Sequence, residues 1–163
     1  MWQSLHTRAE IDVPEKSVLD IGCTTGAFLA EAKADGWRVH GVHLLDPLAG
    51  LVDARTKVMD GGFLFIELPQ WGALGRRKNA GGWSQLRPPE HINFFSKGSL
   101  RVALDAAGWD VVRQETIQPN VTNTAIEHIR HGRTLRGSAL AIGARVVERA
   151  GLGGYLRCLA APR

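Results

Sequence analysis

The chain has 163 residues, 44% apolar and 22% charged, which suits one globular domain and excludes a disordered chain. No apolar run is long enough to span a bilayer, and Met1 to His6 lack a secretory leader pattern, so a soluble cytoplasmic protein with no membrane partner is expected. The net charge is +4, with Arg130, Arg133, Arg136, Arg145, Arg149, Arg157 and Arg163 all late; without interleaved aromatics they read as solvated helix faces, and no nucleic-acid partner is expected.

Val18 to Ile21 is a short apolar run ending at Gly22 and predicts a buried strand. The loop Gly22 to Gly26 follows, and Ala27 to Ala34 predicts a helix stopped by Asp35-Gly36. Trp37 to Val42 alternates like a second strand, giving the strand–helix–strand start of a parallel sheet. Asp46-Pro47 opens the next helix, with Leu48, Leu51, Val52 and Val58 at helical spacing. Phe63 to Leu68 predicts the strongest strand. The stretch from Gln70 to Phe95 is long and irregular, which points to function or disorder. Ser96 caps a helix through Ala107, and Trp109 to Thr116 predicts a strand. Ser138 to Ala150 predicts a helix with Leu140, Val146 and Val147 inward, and Tyr155 to Ala160 a final strand. A single domain over 1–163 is expected, with a cofactor-loop half at about 1–43 and a late-strand and substrate-loop half at about 44–163.

Asp20-Ile21-Gly22-Cys23-Thr24-Thr25-Gly26 joins a strand to a helix. Glycines there let backbone N–H groups approach a ligand beside the positive end of the helix. The loop lacks the three glycines of the nicotinamide pattern, so by itself it is either a cofactor loop or a plain tight turn.

With its preceding strand, this segment resembles the first motif of class I S-adenosylmethionine-dependent methyltransferases, usually D-x-G-C-G-x-G. The resemblance implies a Rossmann-like, mostly parallel α/β sheet and S-adenosyl-L-methionine as cofactor. It places Asp20 near the cofactor's methionine end, and Gly22, Cys23, Thr24 and Gly26 in the wrapping loop. Thr24 stands at the family's middle glycine, where a side chain crowds the methionine. Leu45-Asp46-Pro47 and the run from Met59 to Trp71 resemble the family's late segment, entering its fifth strand. Pro88-Pro89-Glu90-His91-Ile92-Asn93-Phe94-Phe95-Ser96 resembles the substrate loop of a small-molecule subgroup. The three blocks cover most of Val18 to Thr116 in order, and Gln118 to Gly137 fits least.

The family's second strand ends in a carboxylate that binds the ribose diol. Here the strand ends Gly41-Val42-His43 and passes straight to Leu44-Leu45-Asp46-Pro47. A strand–helix–strand piece of at least ~30 residues is therefore expected to be missing, leaving about five strands with the first beside the strand at 63–68. The alternative is that His43 replaces the acid and Asp46 compensates.

His91 is the candidate catalytic base; otherwise it is a structural histidine bonding to loop backbone. Trp71, Trp83, Phe94 and Phe95 either line an apolar pocket or anchor the loop. His128 and His131 lack a third ligand, and Cys23 and Cys158 read as buried or idle thiols, so no metal is expected. Two functions stand: methyl transfer to a small-molecule acceptor, or a degenerate, non-catalytic domain binding cofactor weakly or not at all.

Overall fold

The structure, a computed structural model, describes residues 17–21, 27–42, 46–58, 61–87, 91 and 93–163. The loop residues Gly22, Cys23, Thr24 and Gly26, the junction residue His43, and Pro88, Pro89 and Glu90 lie outside the described residues.

Strand β1 (Ser17–Ile21) is followed by helix α1 (Ala27–Ala34), and Gly36, at φ 81, turns the chain into β2 (Arg38–Val42). β1 and β2 pair in parallel, Ser17 opposite Arg38 and Ile21 opposite Val42. Asp46 then caps α2 (Pro47–Lys57): its carboxylate accepts from the amides of Leu48 at 2.9 Å and Ala49 at 3.1 Å, while Pro47 begins the helix. β3 (Leu64–Pro69) is followed by a short helix α3 (Leu74–Lys78) inside the long loop. A capping box of Ser96 and Ser99 starts α4 (Lys97–Ala106), and Gly108, at φ 80, turns into β4 (Trp109–Ile117). Helices α5 (Pro119–Arg130) and α6 (Thr134–Arg149) form a hairpin before β5 (Tyr155–Pro162).

The core lies between α2, α4 and the sheet formed by β3, β5 and β4. Leu156, Cys158 and Ala160 alternate inward from β5 and meet Leu51, Ala54, Leu100 and Leu104. Trp109 is 1% exposed, and its indole N–H donates to the Leu51 carbonyl at 2.9 Å, so this large ring is buried with its polar atom satisfied.

An α/β fold with five strands and a parallel strand–helix–strand start is what the sequence predicts, and β1 and β2 pair so; the rest of the strand order is not. Among the described residues β1 does not lie beside β3, and β3, β5 and β4 form a separate sheet in that order. Both pairings of β5 are antiparallel, so the sheets are not mostly parallel. The cause lies at the entry to β5. β3 and β4 run parallel to each other, and α6 delivers the chain to their carboxyl ends. β5 must then descend between them in the opposite sense. Gln70, 1% exposed, fixes this entry by donating from Nε2 to the carbonyls of Gly151 and Gly153, both at 3.0 Å. A Cβ at Gly153 would stand 2.7 Å from the amide nitrogen and 2.8 Å from the carbonyl oxygen of Ile117, so only glycine fits this approach.

The last helix also differs from expectation. It begins at Thr134, and its buried residues are Gly137 and Ala144, whereas Val146 is 61% exposed. Close contact with α5 sets this phase, since a Cβ at Gly137 would meet Ile129 Cγ1 at 2.5 Å and the Ala125 carbonyl at 2.7 Å. In α2, Leu48 and Val52 are also largely exposed while Leu51 is buried.

Candidate functional site at the carboxyl ends of β3 and β4

Ligands of α/β sheets commonly sit outside the carboxyl ends of strands. Here those ends are Pro69 of β3 and Ile117 of β4, with Tyr155 of β5 opposite both. The loop leaving β3 returns over this edge. Gln70 bridges Phe95, and the Trp71 amide donates to the Phe95 carbonyl at 2.9 Å.

Two aromatic contacts hold the loop. Phe94 lies 5.8 Å from Trp71 and 5.3 Å from Trp83, in tilted geometry. Trp83 is buried, and Phe95 packs against the core, so these two anchor the loop. Trp71 is 45% exposed, with the Arg76 guanidinium 4.0 Å above its ring. Trp71 and the half-buried Phe94 are thus the aromatics open to a ligand.

His91 is half-buried and makes two backbone contacts. Its amide donates to the Arg87 carbonyl at 3.0 Å, and Nδ1 lies 3.0 Å from the Gln85 carbonyl oxygen. A carbonyl only accepts, so Nδ1 carries the proton and Nε2 of the neutral ring holds the lone pair. These are the contacts of a structural histidine, and they also produce the tautomer a general base needs at Nε2. Gln85 is itself buried, and its Oε1 accepts from the Tyr155 hydroxyl at 2.7 Å. Burial, with Glu67 nearby, raises the Tyr155 pKa above its ordinary value, which keeps the phenol a donor. Gln85 and Tyr155 escape sequence reading. The sole tyrosine of the chain opening a strand after two glycines is the only hint, and Gln85 offers none.

Asp20 sits in β1 opposite Gly41, and desolvation raises its pKa. No hydrogen bond or strand pairing among the described residues joins Asp20 to the His91 group. The strand and helix on either side of residues 22–26 are present, and β2 carries no carboxylate from Arg38 to Val42.

Among the described residues no three His, Cys, Asp or Glu side chains group to hold a metal. Cys158 is fully buried, which pushes its thiol up to about 11. His131 lies 3.6 Å from Glu127, and desolvation, then Arg133 and Arg136, lowers the His128 pKa. No helix among the described residues is long and apolar enough to cross a membrane.

The methyltransferase domain family matches residues 42–114. No curated protein matches the chain. Among solved structures, the X-ray structure of YjhP from E. coli aligns at 15% identity, covering 99% of this chain and 88% of that one, with a TM-score of 0.44.

Proposed function

We propose that the protein transfers a methyl group from S-adenosylmethionine to a small-molecule acceptor, a reading supported by the match of residues 42–114 to the methyltransferase domain family. The bound cofactor supplies a methyl group activated on a sulfonium. The chain positions the acceptor and removes its proton. Asp20 and the loop residues Gly22, Cys23, Thr24 and Gly26 take the methionine end. Trp71 and Phe94 offer apolar faces to the acceptor, and His91 Nε2 takes the proton of an acceptor hydroxyl.

The Nδ1 contact of His91 with the Gln85 carbonyl is the observation that carries this reading. It leaves a basic nitrogen on the loop above the carboxyl end of β3. Incubation with methyl-labelled S-adenosylmethionine and a panel of small phenols and hydroxyquinones, read by mass spectrometry, tests it. A product gaining one methyl group supports the reading. No product from any acceptor, together with no cofactor binding, removes it.

A second reading is a degenerate, non-catalytic domain. That β1 pairs with β2 alone among the described residues favours it, as does the lack of a carboxylate on β2.

A further inference from the structure

Helix α6 has two unlike faces. Gly137 and Ala144 are its buried residues, with Gly137 against α5. The opposite face carries Leu135, Ile142 and Val146, which are 90%, 64% and 61% exposed, together with exposed Ala139. At the helical advance of about 100° per residue, these four fall within roughly 60° of one another. Arg145 and Arg149 lie along one side of the stripe and Arg136 along the other. All three arginines are exposed, and among the described residues none is in an ion pair. The only carboxylate of the helix, Glu148, turns inward, its Oε1 accepting from the Gln118 amide at 2.7 Å.

We propose that the outer face of α6 docks onto an anionic lipid bilayer, with the helix lying in the plane of the interface. The aliphatic stripe enters the boundary between headgroups and acyl chains, and the flanking guanidinium groups bind lipid phosphates. Charge selects this occupant. A second copy docked on the same face would set one arginine rim against another. A nucleic acid would gain nothing from leucine, isoleucine and valine, and the stripe has no aromatic ring for stacking. The absence of a membrane partner was expected because no segment spans a bilayer; a helix lying in the interface needs no spanning segment. The proposal is independent of the methyl-transfer reading.

Flotation of the full chain with vesicles tests it. One set contains phosphatidylcholine alone and the other adds phosphatidylglycerol. The protein floats with the anionic vesicles, stays behind with the neutral ones, and is released by salt. The combined substitution Arg136→Gln, Arg145→Gln, Arg149→Gln lowers partitioning by about 10²-fold, at roughly fivefold per arginine. The combination Leu135→Ser, Ile142→Ser, Val146→Ser abolishes flotation. Circular dichroism monitors folding, and Leu135→Ser alone replaces any combination that fails to fold. Four results overturn the proposal: no flotation with anionic vesicles, equal flotation with neutral ones, flotation unchanged in these variants, or a dimer in sedimentation that Leu135→Ser dissociates.

Discussion

The Tyr155 hydroxyl donates to Gln85 Oε1 at 2.7 Å and so ties the first residue of β5 to the loop that carries His91. Gln85 in turn offers its backbone carbonyl to His91 Nδ1. One side chain thus connects the sheet to the tautomer of the histidine.

Replacing Tyr155 with phenylalanine removes this link and leaves the buried Gln85 amide oxygen without its donor. A loss of about 1–2 kcal/mol is expected in urea unfolding. Nitrogen-15 NMR of the His91 ring should also shift from the Nδ1–H form toward a mixture of tautomers. An unchanged tautomer would mean that Tyr155 has no part in positioning the ring.

Burial raises the Cys158 thiol from 9.0 to about 11, and Tyr155 shifts in the same direction. For a group whose folded pKa is raised, the stabilisation is complete below the unfolded pKa and is lost as pH rises through the folded one. Stability should therefore fall between about pH 9 and 11, with Cys158 contributing on the order of 2–3 kcal/mol. Thermal melts across that range should flatten in Cys158→Ala. An equally steep loss in the variant would remove the thiol from this account.

Two glycines should respond oppositely to alanine. Gly153→Ala drives a methyl group into the backbone of Ile117 and should cost about 3 kcal/mol or more, disturbing the β5 entry. Gly143, within α6, has nothing within 4 Å of its missing Cβ. Gly143→Ala should stabilise by about 0.5–1 kcal/mol. Denaturant midpoints of the two variants decide the matter.

These glycines also show why part of the fold was legible and part was not. Strands and caps left local marks: an apolar run closed by Pro69, Asp46 before Pro47, Ser96 three residues before Ser99. Beyond the parallel β1–β2 pair, strand order left none, because β5 is directed by Gln70 meeting Gly151 and Gly153, a contact about eighty residues apart in sequence. Helix α5 was hidden by its Asn-Val-Thr-Asn-Thr start, residues of poor helical propensity stabilised by packing on α6. The phase of α6 was misread because Val146 suits a core face by composition, while the hairpin selects Gly137 and Ala144. At the site, His91 stood out beside its prolines, whereas Gln85 and Tyr155 meet only in three dimensions.

If His91 is the base, His91→Ala should lower turnover on a hydroxyl acceptor by roughly 10²–10⁴-fold and leave cofactor affinity nearly unchanged. The check is to measure the rate and the S-adenosylhomocysteine dissociation constant on the same preparation. Parallel loss of rate, binding and folding would assign His91 a structural role alone.

Calorimetric titration with S-adenosylhomocysteine tests the methyl-transfer reading most directly. Without a ribose carboxylate, a charge-assisted bond worth roughly 1.5–3 kcal/mol is lost, about ten- to a hundredfold in affinity. The account predicts saturable binding with a dissociation constant between micromolar and millimolar, tightened by Thr24→Gly. A sub-micromolar constant would contradict the weakened ribose site. No heat at millimolar ligand would contradict methyl transfer itself and leave the non-catalytic reading.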